Sequence, residues 1–278
     1  MPAEKDRGAV YAATGERFRE EVEVSVCSLK RAMPDLSVTV FCDWDSDVLD
    51  GLEGVEVVVF ENPEFGYIDK VVGIRQSPYR KTLFIDTDTY ISAPLDELFE
   101  LLDRVDVAAA HELARQHSEF PEIPDCFSEF NSGFVAMNMN DRVLAMLKFW
   151  EDRYRVLIDD VGGDQDVFRL ACYQSDVSLY VLTPEYNCQV RQVGCVNGQV
   201  KVLHGRNIDL ERIERVLNAD LGKRTFRPSM SRGLRVEPYA EGTMKAWSAF
   251  YYIRTRLVDR LVSPFGGLIN SIARAFRG

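Results

Sequence analysis

Short apolar runs alternate with amphipathic segments along the first two hundred residues. Residues 9–13 (AVYAA) predict a first strand. From 14 to 33, Phe18, Val22, Val26 and Leu29 fall three to four positions apart, the spacing of one helical face, and Pro34 follows the end. Further strands are predicted over 37–43, 55–60, 82–86, 105–111, 134–138, 177–187 and 200–205. Helices are predicted over 69–76, 94–102, 142–157 and 164–174, and one over 210–222 leads out of the core. The apolar character of 82–86 (TLFID) predicts a strand buried on both faces. Strands that alternate with helices predict an α/β fold with a mainly parallel central sheet flanked by helices.

In such sheets ligands collect at the carboxyl ends of the strands. The polar anomalies of this sequence cluster there: Thr14, Asp86-Thr87-Asp88, Asn131-Ser132-Gly133 and His204. Two carboxylates one residue apart repel unless a cation shares them or one is protonated. A hard divalent ion answers that problem, and an imidazole among the ligands favours Mn2+. The plainer alternatives are a solvated turn for the acidic triplet, a turn for 131–133 and an ordinary strand-end histidine at 204.

Composition narrows the class. The 278 residues are 46% hydrophobic and 28% charged, with no apolar run of membrane-spanning length. The first ten residues lack the apolar stretch of a signal peptide, and the six cysteines show no CxxC or metal-ligand spacing. A cytoplasmic protein with reduced, mostly buried cysteines is expected. A net charge of −11 argues against nucleic acid as a partner.

The charge is uneven. From Thr243 onward, six Lys/Arg against one Asp give +5, leaving −16 on the first 242 residues. Phe265, Leu268, Ile269, Ile272 and Phe276 share one helical face, with Asn270, Arg274 and Arg277 opposite. A basic amphipathic helical tail of this kind predicts peripheral attachment to the inner face of a membrane, the alternative being a helix packed on protein. The expected organisation is a catalytic domain over 1–208, a helical extension and connector over 209–242, and the tail over 243–278.

The ordered set of motifs from about residue 8 to 206 resembles the GT-A (Rossmann-like) glycosyltransferases, in particular the retaining family 8, glycogenin-like and galactosyltransferase-like. The resemblance implies that Asp86, Asp88 and His204 hold Mn2+, or Mg2+, with Thr87 beside the donor diphosphate. It implies that Lys70, sixteen positions before Asp86, contacts the donor sugar, and that Asn131, Ser132 and Gly133 lie beside it. Asp164 and Gln165 take the reacting face. Ala12, Ala13, Thr14 and Phe18 form the base pocket, with Phe18 where the family often has tyrosine. Gly205 and Arg206 stand where the family often carries a Gly-x-x-Lys-Pro-Trp segment; here Arg206 substitutes for its lysine.

Asp166 is an extra carboxylate beside Gln165, or else an exposed helix N-terminal aspartate. His111 and His117 bracket a loop expected over the acceptor and are not taken as ligands. The implied activity is metal-dependent transfer of a sugar from a nucleotide-diphosphate sugar, with UDP favoured, to a glycan or lipid-linked hydroxyl with retention. The alternatives are a sugar nucleotidyltransferase, against which the single glycine of AATGERF counts, and an inactive membrane-associated scaffold.

Overall fold

The alternation of apolar and amphipathic segments resolves into a seven-stranded sheet covered on both faces. The structure is a computed structural model that describes residues 5–45, 47–114, 120–229 and 233–239. The first half runs β1 (Lys5–Ala13), α1 (Arg19–Ala32), β2 (Ser37–Cys42), α2 (Asp47–Asp50), β3 (Val55–Val59), α3 (Tyr67–Arg75), β4 (Tyr79–Ile85), β5 (Thr89–Ile91) and α4 (Asp96–Leu101). The second runs β6 (Val107–His111), β7 (Phe130–Asn138), α5 (Asp141–Leu157), α6 (Asp164–Gln174), β8 (Leu179–Leu182), β9 (Cys188–Gln189), β10 (Gly194–Val196), β11 (Val202–His204), α7 (Leu210–Leu217), β12 (Arg224–Pro228) and β13 (Leu234–Pro238).

The large sheet has the order β3-β2-β1-β4-β7-β6-β8. Only β7 runs against its neighbours β4 and β6. That reversal brings the start of β7 to the edge where β1, β4 and β6 end, with Phe134 opposite Ile85. Period-two alternation divides the sheet's side chains between two cores. Ala9, Tyr11 and Ala13 face α1 and α4, through Val22, Val26, Leu29, Leu95 and Phe99. Val10 and Phe84 face α3, α5 and α6, through Val71, Ile74, Trp150 and Phe168. Three cysteines are buried, two half-buried and Cys126 exposed; none is in a disulfide.

The structure corrects several expectations. β1 starts at Lys5, because the polar 5–8 stretch pairs with β4 from Lys5 opposite Tyr79 onward. The helix expected from residue 14 begins at Arg19, after a 3-10 turn over Glu16–Phe18. Asn131-Ser132-Gly133 is buried strand, not a turn. The helix over 210–217 closes a core instead of leading out of one: Leu210, Ile213 and Leu217 pack with Tyr90, Cys188, Leu203 and Phe226. The 209–242 segment holds that helix and also β12 and β13, whose half-exposed, Arg- and Pro-bearing sequences carry no strand signal. The chain divides into two compact units, 1–237 and 238–278, and the predicted basic tail lies outside the described residues.

Gly8 shows how tightly this sheet is packed. A Cβ there would lie 2.4 Å from the Tyr79 ring, which is fully buried and whose hydroxyl is 2.9 Å from that of Thr39. Gly8→Ala is expected to destabilise the fold by about 1–3 kcal/mol through overpacking, seen as a lower urea midpoint with an unchanged slope.

Candidate active site

Four strand termini meet at one edge and carry the polar residues there. The Asp86 amide donates to the Gly133 carbonyl (2.7 Å), which ties the acidic triplet after β4 to β7. In the small β5-β11-β9 sheet His204 lies opposite Thr89, and the Gly205 amide donates to the Asp88 carbonyl (2.9 Å). Asp86 and His204, 118 positions apart, thus share one site. One ligand atom each from Asp86, Asp88 and His204 lie within 4.8 Å of one another.

The imidazole is oriented by its neighbours. Asn187 donates from Nδ2 to Asn131 Oδ1 (2.8 Å), so its own Oδ1 accepts from His204 Nδ1 (3.0 Å). His204 Nε2 is thereby turned to the carboxylates, 3.5 Å from Asp88 Oδ1. Two carboxylates and an imidazole held by an outer amide fit a divalent ion of the Mn2+ or Mg2+ class.

The electrostatics follow from crowding. Burial pushes the Asp86 carboxyl above its ordinary range and Asp88 adds to this, while Lys70 pulls the other way. Burial opposes ionisation of Asp88 too, but His204 and Arg206 outweigh it and hold the group well below the usual range. Burial disfavours the His204 imidazolium, yet Asp88 and Asp86 hold its pKa above the ordinary value.

A second cluster adjoins the first. Lys70, buried on α3, places Nζ 3.1 Å from Asp86 Oδ1, 3.2 Å from Asp164 Oδ2 and 3.0 Å from Ser132 Oγ. Burial works against its charge, but Asp164 and Asp86 prevail and hold its pKa up. Ser132 Oγ donates to Asp164 Oδ2 (3.0 Å), and the buried Trp150 Nε1 donates to the Asp164 carbonyl (2.9 Å). Gln165 accepts from the Ser132 amide (3.1 Å) and donates to Glu129 (2.9 Å) and Glu112 (3.3 Å). Asn131 Nδ2 also donates to Glu112 (2.7 Å). Asp166 is buried, which overturns the exposed-cap reading. A cavity of about 390 Å³ is lined by Lys70, Asp86, Asp88, Asn131, Ser132, Gly133, Asp164, Gln165, His204 and Arg206, with Tyr67 and Glu129 in its wall.

A smaller pocket alongside is lined by Ala12, Thr14, Phe18, Phe65, Asp69, Thr87 and Arg206. The buried Asp69 carboxylate accepts from Thr14 Oγ1 (2.7 Å) and from the amides of Glu64 (3.0 Å) and Phe65 (2.8 Å). It thereby pins Phe65, which adopts a left-handed φ of 57°. Arg206 lies over the Phe18 ring at 4.9 Å, donates from Nε to Glu21 (3.0 Å) and sits 3.5 Å from Asp88. Gly205 lines an adjoining cavity of about 530 Å³ with Thr87, Asp88 and Arg206.

Ala13 is not brought to the pocket through its side chain. It packs in the core on the face of the sheet opposite Ala12. His111 stacks on Phe130 at 5.1 Å with Nδ1 3.3 Å from the Glu129 carbonyl, a packing role; His117 is outside the described residues. The sequence reading missed Glu21, Asp69, Glu112, Glu129 and Asn187. Of these, only Asp69 and Glu129 sit within two residues of a predicted site residue.

No family model matches the sequence. Rat (Rattus norvegicus) glucoside xylosyltransferase 1 is 28% identical over 159 residues, covering 44% of this chain and 35% of the rat protein. The glycosyltransferase GlyE of Streptococcus pneumoniae TIGR4 has a TM-score of 0.53 at 19% identity over 67% of this chain and 47% of its own. The apo form of mouse xyloside xylosyltransferase 1 has a TM-score of 0.50 at 16% identity over 73% of this chain and 98% of its own. The chain spans about a third of the rat relative's length and about half of GlyE's. These comparisons, with the mainly parallel sheet and its flanking helices, show that the chain has the GT-A fold of these glycosyltransferases.

Proposed function

We propose that the chain is a metal-dependent glycosyltransferase. It transfers a sugar from a nucleotide-diphosphate donor, UDP-sugars favoured, to a hydroxyl of a glycan or lipid-linked acceptor, with retention. The observation that carries this reading is the junction of two clusters through Asp86. The acidic pair faces His204 on one side, and on the other Lys70 Nζ, 3.1–3.2 Å from the Asp86 carboxylate, links it to Ser132 and Asp164. The fixed ammonium, hydroxyl and carboxylate of the second cluster suit sugar hydroxyls, and the first suits a metal-bound diphosphate.

A bound Mn2+ would neutralise the departing diphosphate as a Lewis acid. The protein's own groups do the rest. Arg206, cationic and able to bind phosphate at two points, holds the diphosphate. Lys70, Asp164, Ser132 and Asn131 orient the sugar hydroxyls, and Gln165 stands at the reacting carbon. The Phe18 pocket takes the base. The reading is tested by release of nucleoside diphosphate from a panel of UDP- and GDP-sugars, with Mn2+ and with chelator. Metal-dependent release from one donor is expected; no binding or release from any donor overturns it.

Arg206→Ala is expected to raise the donor KM about 10- to 100-fold, the worth of one to two charge-assisted hydrogen bonds. Arg206→Lys should recover part of that loss; equal KM values for all three proteins would remove Arg206 from the diphosphate. The proposed lipid-linked acceptor and membrane surface draw support from the +5 charge of 243–278 against the acidic remainder. Flotation of the full chain with anionic but not neutral vesicles is the expected result.

A further inference from the structure

We propose that Glu129 is a positioning residue for Gln165 and that its protonation state modulates turnover. The inference rests on the transferase reading above. Glu129 precedes β7 and is 4% exposed in the wall of the cavity that holds Lys70, Asp164 and Gln165. Its backbone is fixed to the end of β6, the Glu112 amide donating to the Glu129 carbonyl at 3.0 Å.

The Gln165 amide has one orientation. The Ser132 N–H donates to Oε1, so Nε2 must face the carboxyls of Glu129 and Glu112. Glu129 Oε1 accepts that hydrogen bond, while Oε2 is buried with no hydrogen-bond partner among the described residues. An ionised carboxylate with an unpaired buried oxygen is unfavourable, so the fold favours the neutral acid. Burial pushes the group up to about 7; the Gln165 hydrogen bond and Arg169 oppose this, and Asp166 and Glu112 reinforce it.

Both protonation states accept from Gln165, but the ionised one accepts more strongly. It also sets a negative charge on the wall of the cavity in which positive charge builds on the donor sugar. Turnover therefore rises as Glu129 loses its proton. The charged and titratable groups that face it among the described residues are His111 at the end of β6, Glu112 after it, and Asp166 and Arg169 on α6.

The test uses the full chain, saturating Mn2+ and a saturating donor from the panel above, and reads kcat so that metal occupancy is held constant. Wild type should rise several-fold between pH 6 and 8 with a midpoint near 7. E129Q mimics the neutral acid and should stay flat at the acid plateau, with donor KM within about threefold. E129A should fall roughly tenfold below E129Q, since Gln165 loses an acceptor, while its UDP-binding stoichiometry stays that of wild type. A wild-type pH profile in E129Q, or a loss of UDP sites in E129A equal to its loss of kcat, overturns the proposal.

A readout independent of turnover is the infrared band of a protonated carboxyl. It should be present in wild type at pH 6, lost by pH 8 and missing from E129Q. A band unchanged by E129Q overturns the assignment. Titration as expected in a protein that turns over no donor would instead sink the transferase reading and leave the protonation of Glu129 standing.

Discussion

Asp88→Asn is expected to lower metal-dependent turnover of the donor about a thousandfold. The reason lies in what the carboxylate faces. Its Oδ1 is 3.5 Å from His204 Nε2 and 3.5 Å from the Arg206 guanidinium, and its side chain is 12% exposed. Neutralising it removes a charged ligand from the Asp86–Asp88–His204 group and one of the anions that face His204 and Arg206, which keep Asp86 and Glu21. A Lewis acid on a leaving diphosphate contributes several kcal/mol, and each 1.36 kcal/mol is tenfold in rate.

The loss should appear as a steep rise in the Mn2+ concentration needed for half-maximal activity as well as a lower kcat. The base pocket does not involve the Asp88 side chain, since Thr14, Phe18 and Asp69 build it. Metal-free UDP binding by the variant should therefore stay within a few-fold of wild type, and that result shows the protein is folded. A variant that keeps wild-type rates and Mn2+ dependence would remove the acidic pair from the chemistry.

The parts of this site that were legible in the sequence are those with local signals. Asp86 and Asp88 follow the apolar run 83–85 at the end of β4, and His204 ends the short strand β11. The helix over 164–174 is framed by Gly162-Gly163 before it and Ser175 after it, and it forms with those bounds. The start of β1 was not legible, because Lys5–Gly8 is polar and is held by pairing with β4 rather than by burial. β12 and β13 were not legible for the same kind of reason: their order comes from strand partners and a core that α7 completes.

The supporting residues of the site are illegible by a different cause. Asn187 orients His204 from 17 positions away and Glu21 holds Arg206 from 185 positions away. No period or motif encodes such pairs; the crossing of strands does. Ala13 is the instructive case in the other direction. Adjacent residues of a strand face opposite ways, so Ala12 and Ala13 cannot both present side chains to one pocket. Alternation alone assigns one of them to the core, and the structure gives that place to Ala13.

Gly133→Ala should separate a metal site from a mere cluster of charges. The position lies in β7, and a Cβ built there would stand 2.3 Å from His204 Cε1, 2.9 Å from His204 Nε2 and 2.8 Å from Asp86 Oδ2. None of these atoms is the free end of a flexible chain. His204 is held through Nδ1 by Asn187, which is held in turn by Asn131. Asp86 is held by Lys70 and by its own amide on the Gly133 carbonyl. One added methyl must therefore push two of the three candidate ligands apart while changing no charge.

Misplacing reacting groups by about 1 Å lowers rates on the order of 100-fold, and disturbing the support of a ligand weakens metal binding about 10- to 100-fold. Gly133→Ala should show both, with Mn2+ affinity followed by titration calorimetry and turnover by nucleoside-diphosphate release. Overpacking adds a stability loss of about 1–3 kcal/mol, so the measurements belong at a temperature where the thermal melt shows the variant folded. If the three side chains only satisfy one another as ion pairs, the variant loses stability and nothing else. Wild-type Mn2+ affinity and turnover in a destabilised Gly133→Ala protein would mean that His204 and Asp86 do not share an ion.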